Sequence, residues 1–383
     1  MHPSALRGTA RGRCARGSTE RQAWGHAWDM GNPGGNPCLV ELTRGRLLES
    51  VHAGALAVAR ADGSIVASIG DIARPVFPRS AVKPLQAVAF AASGAVERFA
   101  LGAPELAISC GSHSGTERHV GVVAAMLERA GLPPTALLCG AHEPLDAAAA
   151  RQLTGANAPS TPLHNNCSGK HAGMLLTAVQ YGEPTDDYWR VDHPVQARIR
   201  ATLEELARCR LGEDVYGIDG CSAPNWAMPL ADLAAAYARF ATGQGLAAPL
   251  GQACRRLIDA CWAEPELVAG PGRLDTRAMA GLPGEVLMKG GAEGVYCGAL
   301  PALALGFALK LDDGAKRAAE TTVVALIGRF YPEIARFGPE PRLSNLRGLE
   351  VGRLSPSAAL LAGLAPLSEA VVQGSKPSTP PMH

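Results

Sequence analysis

No apolar run in this chain approaches the roughly 18 residues that a membrane-spanning helix needs. The amino terminus has no apolar h-region, which argues against a secretory leader. Charge of one sign is missing as well. With 36 basic and 35 acidic side chains the formal net charge is +1, so no overall field favours nucleic acid or a membrane surface. Internal repeats are absent. The ten cysteines lack the spacing of a small disulfide scaffold, and without a secretory signal the expectation is reduced thiols in a cytoplasmic protein. What is present is a globular composition, 47% apolar and 19% charged, in a chain of 383 residues that can bury a large core.

Residues 1–36 are rich in Arg and Gly and end in Met30-Gly31-Asn32-Pro33-Gly34-Gly35-Asn36. Their glycines and prolines argue against the amphipathic helix of a mitochondrial presequence, so a disordered arm is expected, with Met30 as an alternative start. Residues 38–43 read as a strand. The runs 47–60 and 64–69 flank Ala61-Asp62-Gly63, a hairpin signal. Helices are expected at about 80–92, 117–130, 172–181, 193–209, 230–241 and 250–263. Residues 105–110 read as a short apolar segment, and 215–224 as a strand or loop. Strands follow at 285–291, 294–300 and 303–311, then a closing helix at 315–330. The segment beyond about 339 is weakly patterned and expected to fray. Strands, a helical middle, then strands and a helix imply an α+β fold: an antiparallel sheet flanked by helices, with an inserted helical lobe. The expected domain spans 37–335, with sheet parts at 37–80 and 283–335 and a helical part at 81–282. Residues 1–36 and 336–383 are extensions.

Four motifs carry chemistry. Ser80 and Lys83 stand one helical turn apart, so their side chains share a face. A serine hydroxyl needs a base to become a nucleophile, and a neutral lysine amine serves if burial or a nearby cation keeps it unprotonated. The alternative is a plain helix start, with Ser80 as cap and Pro84 in the first turn. Lys289-Gly290-Gly291 closes an apolar strand, where glycines let a ligand approach a sheet edge; alone it equally describes a solvated strand end. Ser112 lies in the tight loop Gly111-Ser112-His113-Ser114-Gly115, as a second hydroxyl facing Lys289 or as a turn serine bonding its own backbone. Cys167, Lys170 and His171, with Cys221, could bind Zn²⁺ through two thiolates and a nitrogen, or could be two buried inert thiols with neighbours. An early S-x-x-K, a serine loop and a late lysine–glycine strand keep the order of the penicilloyl-serine transferases, with glycine replacing the Ser or Thr of the last motif.

Taken together, Pro78 to Lys83, Ser109 to Gly115, His164 to His171, Gly217 to Pro224 and Lys289 to Gly294 resemble the Rhizobium etli-type, or class 3, L-asparaginases. The resemblance covers roughly residues 38–335. It implies a serine β-lactamase/glutaminase-like fold, a homodimer, and hydrolysis of L-asparagine to L-aspartate and ammonia. It further implies two catalytic pairs, Ser80 with Lys83 and Ser112 with Lys289. Cys167, Lys170 and Cys221 would hold zinc with a water as fourth ligand, Asp219 would orient that water, and Arg79, His171, Gly290 and Gly291 would line the substrate site. The family's further cysteine has no counterpart between Cys261 and Cys297, where Arg273-Leu274-Asp275-Thr276 stands instead. A penicillin-interacting serine hydrolase of the same architecture is the alternative function, and a non-enzymatic zinc- or ligand-binding protein a second.

Overall fold

The computed structural model describes residues 35–367. The chain divides into Met1–Gly35 and Asn36–His383. The expected disordered arm, apart from Gly35 and Asn36, lies outside the described residues, as does the end of the tail.

In chain order, β1 (Cys38–Arg44), β2 (Leu47–Arg60) and β3 (Ile65–Ile69) open the fold. Helices α1 (Lys83–Ala91), α2 (Ala103–Ser109), α3 (Glu117–Arg129), α4 (Ser168–Tyr181) and α5 (Pro194–Ala207) begin the inserted lobe. The small hairpin β4 (Tyr216–Ile218) and β5 (Pro224–Trp226) interrupts it before α6 (Leu230–Thr242), α7 (Ala248–Ala263) and α8 (Leu274–Gly281). Strands β6 (Leu287–Gly290), β7 (Val295–Leu300) and β8 (Leu305–Leu311), helix α9 (Lys316–Ile327), strands β9 (Arg342–Ser344) and β10 (Glu350–Pro356), and helix α10 (Ala358–Leu364) complete it.

The main sheet runs β9-β10-β1-β2-β8-β7-β6, with β3 also paired to β2. Every strand pairing in it is antiparallel. Strand β2 is the pivot. Its first half pairs with β1, and its second half pairs with both β3 and β8. Every residue of β7 is buried, as in a strand covered on both faces, and α6 and α9 pack against it. At Gly306 on β8, a Cβ would fall 2.1 Å from the Ala234 carbonyl oxygen, so α6 rests directly on the strand there.

The α+β arrangement with an inserted helical lobe agrees with the sequence reading, but three local features differ. Residues 105–110 are largely helical, because Glu105 accepts the Gly102 N–H at 2.9 Å and closes the first turn of α2. The helix expected from Ser80 begins as a 3₁₀ turn, Arg79–Val82, before α1. Of the stretch beyond about 339 expected to fray, the described residues, 340–367, form β9, β10 and α10. β10 pairs with β1 from Val40↔Pro356 to Arg44↔Gly352, so the domain boundary near 335 falls too early. Glu, Gly, Arg, Ser and Pro in 350–356 weaken the strand pattern. The register against β1 supplies the order that propensity does not.

Candidate active site

Ser80 sits on a turn held from three sides. The Lys83 N–H donates to its carbonyl, which closes the turn between the two motif residues. Tyr237, from α6, donates its hydroxyl to the Ala81 carbonyl at 2.5 Å. Arg79 has φ of +50°, a strained value for a non-glycine residue. Its guanidinium donates from Nε (3.1 Å) and Nη2 (2.8 Å) to Asp219 Oδ1, which fixes the strained residue. Among the described residues the Ser80 hydroxyl, partly exposed, has no hydrogen-bond partner.

Lys83 is buried and donates from Nζ to the Asn166 carbonyl at 3.3 Å. Asn166 is a hub. Its Nδ2 donates to Ser112 Oγ at 3.0 Å, its N–H to His142 Nε2 at 2.9 Å, and its carbonyl also accepts the His113 N–H at 3.2 Å. The second serine is thus tied to the first lysine through one asparagine. The Ser112 loop is pinned in turn by its own N–H, which donates to the Val268 carbonyl at 2.8 Å. A Cβ on Gly111 would meet the Leu267 carbonyl oxygen at 2.8 Å, so the loop approaches that backbone closely.

Lys289, at the end of β6, is also buried. Burial pushes its amine down to about 8, the positive charge of Lys83 adds to this, and Asp275 opposes it. Its Nζ donates to the Gly290 carbonyl at 2.7 Å. The next residue, Gly291, packs on the Ser80 turn: a Cβ there would lie 2.8 Å from the Pro78 carbonyl oxygen and 3.1 Å from the Ala81 nitrogen. Lys289 therefore lies on a strand end that abuts the Ser80 turn, and glycine is what permits the contact. Ser112 and Lys289 are not hydrogen-bonded to each other. Each has another partner, Asn166 and Gly290.

The thiol cluster lies at the start of α4. Cys167 caps the helix, and Lys170 and His171 occupy its first turn. Cys221 comes from the β4–β5 connection, and Lys170 Nζ stands 3.1 Å from its sulfur. The Cys167 thiol beside Cys221, then Lys170, push Cys221 toward thiolate, while the same pairing and burial push Cys167 up. Burial disfavours the Lys170 ammonium, yet Cys221 and Cys167 outweigh it and raise the amine. His171 is fully buried. Its Nδ1 meets the Tyr188 hydroxyl at 2.7 Å, and its Nε2 has no hydrogen-bond partner. Two sulfurs and a lysine nitrogen converge beside an orphaned imidazole nitrogen, a donor set that suits a thiophilic cation such as zinc. Among the described residues no group of three His, Cys, Asp or Glu is placed to hold a metal, so the set depends on counting Lys170 as a ligand.

The structure thus joins Lys83 and Ser112 through Asn166 and sets the Ser80 turn against the end of β6, where Lys289 feels the charges of Lys83 and Cys167. Asp219 is engaged by Arg79 and by its own neighbour Gly220 N–H, at 2.8 Å, and its field also reaches Lys170. His171 lies beneath the thiols with Tyr188 rather than at an open surface. Sequence reasoning gave Asn166 and Asp275 no role. One stands in a quoted motif without a chemical signature of its own, and the other lies in a stretch noted only for a missing cysteine.

A model of the L-asparaginase II family matches residues 40–355 of this chain. No curated protein matches it. Among solved structures, that of Mglu in its native form in the presence of 4.3 M NaCl is 15% identical, with 74% of this chain and 60% of that one covered and a TM-score of 0.40. A second native Mglu structure is 15% identical over 70% and 61%, with a TM-score of 0.37. A β-lactamase from Mycobacterium bovis is 14% identical over 70% of this chain and 89% of that one, with a TM-score of 0.34. This chain spans about three fifths of the length of the Mglu chains. No helix of the described residues is long and apolar enough to cross a membrane.

Proposed function

The chain belongs to the L-asparaginase II family, and on that premise we propose that it hydrolyses L-asparagine to L-aspartate and ammonia. Lys83 removes the Ser80 proton, and Ser80 Oγ attacks the side-chain carboxamide carbon. The C–N bond breaks, and ammonia departs with a proton relayed by Ser112 and Lys289. Water then cleaves the β-aspartyl ester and returns the hydroxyl to Ser80. The Ser80 N–H, near the start of its turn, is one donor to the developing oxyanion. The observation that carries this reading is the Asn166 bridge, with Nδ2 on Ser112 and its carbonyl on Lys83, within the field of a lysine at the end of β6 whose amine burial pushes down to about 8. Such a bridge couples two serine–lysine elements that a purely structural role would not need to join.

The test is ammonia release from L-asparagine by the purified chain, beside incubation with a labelled β-lactam. Ammonia without stable labelling supports the reading. Stable acylation of Ser80 without ammonia replaces it with a penicillin-interacting hydrolase.

Cys167, Lys170 and Cys221 would hold the family's zinc, which when bound would supply a positive charge beside the pocket to anchor a substrate carboxylate or amine. For this chain's own residues the consequence is direct. Lys170 must give up its proton to bind a metal, so metal uptake should weaken as pH falls. We expect about one zinc per chain by elemental analysis after purification without chelator. Cys221→Ser should lower zinc affinity about a hundredfold or more, read by competition with a chromogenic chelator.

A further inference from the structure

Two carboxylates are buried among the described residues, Glu105 and Asp275. Glu105 is accounted for by the Gly102 N–H and an ion pair with Arg129. Asp275, in the first turn of α8, is 1% exposed and forms no ion pair within the described residues. Its Oδ1 accepts the Gly290 N–H at 2.6 Å, and its Oδ2 accepts the Tyr296 hydroxyl at 3.0 Å. A carboxylate this deep costs free energy unless charge nearby compensates it. Two neutral donors offset only part of that cost, and the Lys289 ammonium is a cation that interacts with this carboxylate.

The Gly290 peptide is gripped on both sides. Asp275 holds its N–H, and the Lys289 amine donates to its carbonyl. Gly291 follows at once and rests on the Ser80 turn. A displacement of Asp275 would therefore move the backbone that carries Lys289 relative to Ser80. We propose that Asp275 is a positioning residue of the catalytic centre: through the Gly290 N–H it fixes the end of β6, and with it the backbone that carries Lys289 against the Ser80 turn. The role given to Lys289 rests on the asparaginase reading; the geometry does not.

The groups that face Lys289 are Lys83 on α1, Cys110 at the end of α2, Cys167 before α4, Arg273 and Asp275 at α8, and Cys297 on β7. Burial, Lys83 and Arg273 lower its amine, and Asp275 is the largest opposing influence. Taking away the Asp275 charge while keeping its shape should release that opposition.

The experiment is a ¹³Cε-lysine NMR titration of the full chain, which has six lysines, with the Lys289 signal assigned by its loss in Lys289→Met. In Asp275→Asn the Lys289 midpoint should fall by about one unit, and the acid limb of kcat/KM should move down with it. An unchanged midpoint overturns the proposal. Should Asp275→Asn not fold, Tyr296→Phe decides, since it keeps the charge but frees one oxygen. The expectation there is kcat reduced about tenfold with KM unchanged, and an unchanged kcat overturns the proposal. The titration needs no turnover, so it stands apart from whether the wild-type chain releases ammonia, which tests the functional reading.

Discussion

Ser80→Ala should reduce ammonia release from L-asparagine by about a thousandfold or more, with the fold intact by circular dichroism. The two serines differ in their partners. The Ser112 oxygen already accepts an amide N–H from Asn166, which draws electron density away from it. The Ser80 hydroxyl has no partner among the described residues and stands on a turn closed by the Lys83 N–H. A nucleophile needs a free lone pair, which Ser80 has, and a base, which on the proposed reading is Lys83, three positions on in sequence and bonded in this structure to the Asn166 carbonyl. Turnover above a few per cent of wild type would move the attack to Ser112. Steady-state ammonia assays at saturating asparagine, repeated for Ser112→Ala, give the comparison.

The second large effect belongs to Lys289. Lys289→Met should cost about a hundred- to ten-thousandfold in kcat and remove one limb of the pH profile. Its amine, pushed down to about 8 by burial and the nearby Lys83 charge, is charged below that value and free above it. If the free amine moves the proton, wild-type kcat/KM rises with pH through about 8 and then levels, because the active form accumulates on the alkaline side. If Lys289 instead served as a cation for a substrate carboxylate, activity would fall as pH rises through the same value. The sign of one limb, measured from about pH 6 to 9.5, therefore distinguishes a free-amine base from a role of the charged form, whether as proton donor to the leaving group or as carboxylate anchor. The Met variant should lose whichever limb the wild type shows.

How much of this was legible beforehand follows from what each residue type advertises. Asp-Gly at 62–63 marked the β2–β3 hairpin, since a tight turn between β-rich runs needs such residues. Pro, Ser and Lys at 78–83 marked the entry into α1, and the lysine–glycine run marked the end of β6. The strand at 350–356 was not legible, because its composition is that of a loop and only pairing with β1 orders it. Asn166 and Asp275 were not legible either. An asparagine or an aspartate has no intrinsic signature for its role, which is set by partners 54 and 15 residues away along the chain.

The sequence by itself determined the kinds of groups available and the local turns that present them: two serine–lysine motifs, a thiol cluster at a helix start, and glycines where backbones must touch. Side-chain periodicity and turn chemistry are short-range properties, so they can be read along the chain. Tertiary structure alone decided that Asn166 bridges Ser112 and Lys83, that Asp219 clamps a strained Arg79, and that Asp275 grips the strand end beside Lys289. The reason is physical. Burial and the distance between charges set whether an amine is free to act, and both come into being only when remote segments pack against one another.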